Sequence, residues 1–226
     1  MKPSQATRPD SGSALLRQIG RKGVDLEKAA RRIGRNPGLV PETVKGLDAE
    51  QADVKYRCAK VLRILSAQKP EALYPHIDTF IRLLDRPNRI LTWEGLHVIG
   101  NLAATDRKAK VDRIIAKYLS PISGAVMVSA ANAVRGAAKI ARAKPHLAQR
   151  IASELLKVEG AEYQTPECRN VVLGHVVEAF DRFFELVENP VPVIALVRRQ
   201  LRNPRNSTRR KAELFLKKRQ AGRSGC

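Results

Sequence analysis

Pairs of amphipathic helical stretches joined at a proline recur along this chain, and no such pair can bury its own apolar residues alone. The clearest pair lies between Asp53 and Arg86. Its first half places Cys58, Ala59, Val61, Leu62 and Leu65 at helical spacing. Its second half places Leu73, Tyr74, Ile77, Phe80, Ile81 and Leu84 in the i, i+3, i+4, i+7 pattern of an amphipathic helix. Lys69-Pro70 stands between them; proline ends the first helix and suits the first turn of the next. Two apolar faces on one hairpin call for neighbours of the same kind.

Those neighbours are present. Val24 to Gly34 and Leu39 to Leu47 form a first, weakly patterned pair after a short helix from Ser13 to Ile19. A shift of 37 positions carries Tyr56 onto Trp93, Ala59 onto Leu96, Leu62 onto Ile99 and Leu65 onto Leu102. The partner helix, from Lys108, aligns Val111, Ile114, Ile115, Tyr118 and Leu119. The fourth pair runs from Gly124 to Val158, and its first helix is rich in small residues that permit close approach. Lys144-Pro145 repeats the Lys69-Pro70 turn, and Leu147, Ile151, Leu155 and Val158 form the next buried stripe. A fifth pair spans Glu167 to about Leu201 with a break at Asn189-Pro190. Asn203-Pro204 breaks the chain again, and Ser207 is positioned to N-cap a last helix through Arg219.

A repeating unit of about 37 to 44 residues built from paired helices resembles the HEAT repeat family, and less closely the armadillo family. The segment DVKYRCAKVLRIL at Asp53–Leu65 carries the resemblance. HEAT repeats tend to place an acidic residue, a nearby basic residue and then Ala and Leu there, and Asp53 and Arg57 supply the charged pair. The resemblance implies an all-α, right-handed α-solenoid of about five stacked antiparallel helix pairs, with the second helix of each pair on the concave side. It implies one solenoid domain over 13–219, between a disordered segment at 1–12 and a flexible tail at 220–226.

Composition narrows the function. Aromatic residues make up only 4% of the chain, so its core is chiefly Ala, Val, Leu and Ile. No apolar run reaches the ~18 residues of a membrane span, and Met1 to Gly20 lacks the apolar region of a secretory signal. Cys58, Cys168 and Cys226 lie far apart with no CxxC, which fits a reducing, cytoplasmic setting. The HExxH, GxxxxGK[ST], GxGxxG and GxSxG patterns are absent. His76, His97, His146 and His175 are 21 or more positions apart, so neither a metal nor another cofactor is expected.

The net charge of +20 points instead to a polyanionic partner, either a nucleic acid backbone or an acidic protein surface. The second helices place Arg82 and Arg86, Arg113 and Lys117, Arg150 and Lys157, then Arg198, Arg199 and Arg202 on their non-core faces, interrupted by Asp78, Asp85, Asp112 and Glu154. A stripe of this kind neutralises phosphates without reading bases. From Asn189 onward there are eleven Lys and Arg, Arg209, Arg210 and Lys211 among them, against Glu213 alone. Solvation of a terminal repeat does not require so much charge of one sign. Tyr74, Phe80, Trp93 and Tyr118 fall on core stripes, so aromatic platforms for base stacking are lacking.

The reading is therefore a non-enzymatic binding scaffold. An alternative from the same resemblance is the HEAT-like alkylpurine DNA glycosylase branch, which uses concave-face aromatics and a catalytic Asp. Here Trp93 is the only Trp, and Asp78 or Asp112 would have to serve as the acid.

Overall fold

The computed structural model describes residues 14–221. The expectations for the segment 1–12, for Cys226 and for 222–226 lie outside them. Among the described residues every regular element is helical. They divide into two compact units, one ending at His76 and the other starting at Ile77.

In the first unit, α1 (Ala14–Gly20), α2 (Leu26–Arg35) and the short α3 (Val40–Lys45) surround α4 (Ala52–Gln68). The Asp25 carboxylate starts α2 by accepting from the backbone N–H of Lys28 at 2.9 Å, taking up a donor that has no partner within the helix. Helix α4 buries Val54, Cys58, Ala59, Val61, Leu62 and Leu65, the stripe read from the sequence. Gly46 lies so close to α4 that a Cβ there would stand 2.5 Å from Cys58 Sγ. Burial, helped by the charge of Glu42, pushes the Cys58 thiol up to about 12. Thiolate is the reactive form. A thiol-labelling reagent at pH 8 should therefore leave Cys58 unmodified until denaturant is added, and rapid native labelling at Cys58 would show that the α3–α4 contact opens.

Lys69 ends α4, and its Nζ donates to the Gly34 carbonyl at 3.1 Å. Pro70 then opens α5 (Pro70–Leu73), a 3₁₀ turn covers Tyr74–His76, and α6 (Ile77–Leu83) follows. One helix was expected across this stretch. Pro75 has no N–H to bond back to Glu71, so the ladder tightens into the 3₁₀ turn. Leu73, Ile77 and Phe80 are all buried despite the break.

The second unit continues through α7 (Arg89–Leu102), α8 (Lys110–Leu119), α9 (Met127–Ala143), α10 (Ala148–Leu156), α11 (Pro166–Phe183), α12 (Val191–Arg199) and α13 (Asn206–Ala221). The first helices of successive pairs lie side by side: α9 packs on α7, α11 on α9 and α13 on α11. The second helices form the other row, with α12 packed on α10. Leu147, Ile151, Leu155 and Val158 are buried as their spacing requires, each such side chain contributing about 1.5–3 kcal/mol by leaving water. Phe80 and Tyr118 are buried, whereas Tyr74 and Trp93 are half-buried, and Trp93 Nε1 donates to Ser129 Oγ at 2.9 Å.

Ser207 does not cap the last helix. Helix α13 begins one residue earlier, at Asn206, and the buried Asn203 carboxamide accepts from the Arg205 N–H at 2.9 Å instead. Asn203 already sits in the turn that Pro204 enforces, so its short side chain reaches the next free donor first.

The small residues of α9 allow one very close contact. The Tyr118 hydroxyl, fully buried, donates to the Leu96 carbonyl at 2.7 Å and occupies space over Gly136. A Cβ on Gly136 would lie 1.7 Å from that hydroxyl, and one on Gly100 would lie 3.0 Å from the Gly136 Cα. Burial pushes the Tyr118 phenol above its ordinary value. Gly136→Ala should therefore cost about 1–3 kcal/mol by overpacking. Adding Tyr118→Phe removes the clashing oxygen, so the double variant should unfold at higher urea than Gly136→Ala alone. Strict additivity of the two losses would show that the hydroxyl is not the obstacle.

Candidate functional site

The expected basic residues of the second unit sit in two different settings. On the second helices, cations and carboxylates alternate from row to row. Lys110 Nζ of α8 meets Asp78 of α6 at 2.5 Å, and Lys117 pairs with Asp85. His146 Nε2 meets Asp112 of α8 at 2.5 Å, and Arg199 of α12 holds Glu159 through two hydrogen bonds of 2.9 and 2.5 Å. Lys157 is paired with Glu154 on its own helix turn. Arg113 donates to the Lys108 carbonyl, and Arg82 to Thr79. Arg150 is exposed, and Arg86 is half-buried. The first helices follow the same rule, for Lys211 of α13 bonds Glu178 of α11 at 2.9 Å. At each of these contacts between rows the earlier row supplies the acceptor and the later row the base.

One rung is buried. The Asp106 carboxylate accepts the N–H groups of Lys110 and Val111 at 3.0 and 2.8 Å, and so starts α8 after Ala109, which is held at φ 51°. Lys144, the residue before Pro145, reaches back to Asp106 at 3.1 Å and to Asp112 at 2.5 Å. Side-chain exposure is 10% for Lys144 and 0% for Asp106. Burial alone would make the Lys144 ammonium easier to discharge, but hydrogen bonds and charge from both carboxylates hold it above its ordinary value. Burial likewise opposes ionisation of Asp112, and the bonds from Lys144 and His146 outweigh it. Both acids weighed for glycosylase chemistry, Asp78 and Asp112, are thus committed to ion pairs.

A small cavity of about 230 Å³ opens between α7, α9 and α11 beside His97, Arg135, His175 and Arg182. Burial, with the charges of Arg135 and Lys211, holds His175 below the usual histidine range. Among the described residues no cluster of His, Cys, Asp or Glu is arranged to hold a metal ion.

The second setting is the far end of the unit, where Arg198, Arg199 and Arg202 converge. They line a cleft of about 970 Å³ between α12 and α13, together with Lys218 and Arg219. Its apolar lining is Phe184, Ile194, Leu201 and Leu216, and Leu201 is 40% exposed. Arg198 and Arg202 are exposed and engage no carboxylate among the described residues. Arg219 is built into the wall. Its guanidinium lies 4.8 Å from the Phe184 ring centre and 4.7 Å from that of Phe215, and it meets Asp181 at 3.1 Å. Arg209, Arg210 and Lys211 lie on α13 away from the cleft lining; Arg209 donates to the Asn203 and Pro204 carbonyls. The sequence showed the charge of this end. It gave no sign of the apolar floor or of the Arg219 stack, because the floor depends on α12 meeting α13 and the stack on the end of α11 meeting α13.

No family model matches the chain, and no curated protein matches it. Solved structures do. A designed armadillo repeat protein matches at 16% identity and a TM-score of 0.54, covering 90% of this chain and 97% of its own. A computationally designed armadillo repeat protein for modular peptide recognition matches at 16% identity and a TM-score of 0.57, with the same coverage. A third, solved with the peptide (KR)4, matches at 15% identity and a TM-score of 0.54, covering 91% of this chain and 99% of its own. These likenesses show the fold class, an all-α helical-repeat solenoid of the armadillo type.

Proposed function

We propose that this chain is a non-enzymatic binding scaffold whose C-terminal cleft grips an acidic protein segment. The carrying observation is the cleft between α12 and α13, where Arg198, Arg202 and Lys218 ring an apolar floor of Ile194, Leu201 and Leu216. Charge complementarity attracts an acidic partner and fixes its orientation, and the apolar floor adds burial that a phosphate backbone does not use. The designed relative in complex with (KR)4 is a fold-level precedent for peptide capture. The charge here has the opposite sign, so the segment taken would be acidic.

A nucleic acid backbone is the second reading, favoured by the net charge of +20 and by exposed Arg150 and Arg210. The deciding experiment titrates polyglutamate and duplex DNA against the protein over a salt series. Saturable polyglutamate binding that exceeds DNA binding at every salt concentration supports the protein partner. The converse, with log affinity falling by about 0.9 per phosphate contact against log salt, moves the assignment to nucleic acid.

A further inference from the structure

Each row of the second unit leans on the next through a carboxylate or amide acceptor that meets a base: Asp78 with Lys110, Asp112 with His146, Glu159 with Arg199, Glu178 with Lys211. The last row departs from this pattern. On α12 and the turn after it, Arg198 and Arg202 are exposed with no carboxylate partner among the described residues, and the one carboxylate on α13 is Glu213. Between α12 and α13 lies the space where the earlier rows place a second helix: α10 packs on α9 and α12, as a helix here would pack on α13 and α12. The two walls present helix faces, with Ile194, Arg198 and Leu201 at i, i+4 and i+7 along one and Leu216 and Gln220 at i and i+4 along the other.

We propose that the cleft seats an amphipathic helix with an acidic outer edge, contributed by a partner protein, in the position that a second helix takes in the earlier rows. This rests on the acidic-partner reading and adds a shape to it. The length is set by the neighbours: α8, α10 and α12 are 10, 9 and 9 residues long, so the bound segment is about three turns, roughly 15 Å. Its apolar stripe packs on Ile194, Leu201 and Leu216, in the manner of a helix laid into a groove. Its Glu or Asp side chains supply the carboxylates that the last row lacks and meet Arg198 and Arg202. Glu185, the one carboxylate on the lining, is turned to Arg219 at 3.6 Å and leaves those two arginines open.

The test uses two labelled peptides of identical composition, one with leucines at i, i+3, i+4 and i+7 between glutamates, the other with the leucines moved off that stripe. Fluorescence anisotropy with the full chain should show the amphipathic peptide binding about tenfold more tightly, with helical circular dichroism gained on binding. Leu201→Asn, which removes the apolar contact without adding charge, should bring the amphipathic peptide down to the level of the other and leave the other unchanged. Leu201 is partly exposed, so the variant is expected to fold, and Arg202→Glu, which should weaken both peptides, is the check if it does not. Equal binding of the two peptides without helix formation overturns this inference and leaves the acidic-partner reading standing. Failure of both peptides and of polyglutamate removes both. Self-association abolished by Leu201→Asn assigns the cleft to a second copy of the chain and overturns the proposal.

Discussion

Lys144→Met will lower the free energy of unfolding of the second unit by roughly 3 kcal/mol, at the lower end of what removing one partner of a buried ion pair costs. The loss arises because the Asp106 carboxylate remains, fully buried, at the start of α8 with its cation gone. It sits at the lower end because Lys110 and Val111 still donate to that carboxylate. Methionine fills most of the lysine stem's volume, so the experiment isolates charge from packing. Asp106→Asn in the same background should recover part of the loss, since the uncompensated charge is gone while one backbone donor keeps its acceptor. The sign of the pH dependence follows from Asp112. Its folded pKa is lowered beneath the ordinary 3.8, so its share of stability is present above that value and is lost as pH falls through the folded pKa. Without Lys144 that share shrinks, and the difference between wild type and variant should narrow below about pH 4. Urea titrations at several pH values measure this. A loss under about 1 kcal/mol at neutral pH would mean that water reaches the pair.

Reversing Arg198 and Arg202 together to Glu should weaken polyglutamate binding at low salt by about 30-fold, two charge reversals each acting on closely placed carboxylates. Neither arginine is engaged by a carboxylate among the described residues, so folding should be little affected. The informative control is Arg82→Glu with Arg113→Glu and Arg150→Glu, which changes more charge on the second helices. It should cost only about twofold, because these arginines stand on three separate helices away from the lining of the cleft, and salt screens what remains. An equal loss from both sets would place the partner along the helix rows instead of at the end.

The repeat was legible because helix pairing is written in local spacing. Leu62, Leu65, Ile151 and Leu155 are buried where a period of 3.6 puts them, and the prolines at 70 and 145 open helical turns where the hairpins were expected to turn. What was not legible lies between rows. Lys144 read as punctuation before a proline, yet its side chain spans to Asp106, 38 residues earlier. The alternation of charge on the second helices showed as interruptions of a basic stripe, since nothing local says that Asp85 faces Lys117. Arg219 read only as the end of the last helix, and only the meeting of Phe184 with Phe215 makes it a wall.

The contact of Gly100, Gly136 and Tyr118 bears on how such a chain can be re-engineered. In a repeat array with identical units, any unit can be duplicated, deleted or moved. Here the α7–α9 junction is a lock cut for one key: a glycine on each helix and a tyrosine hydroxyl that fits only over them. The α9–α11 junction uses a different set, with Arg135 against His175 at 3.3 Å. Exchanging the α7–α8 and α9–α10 blocks would set Gly136 and Gly100 against unfamiliar neighbours and part Asp106 from Lys144. Modularity in this protein therefore stops at the level of the helix pair, and a splice joining two such chains belongs in the turns outside this junction.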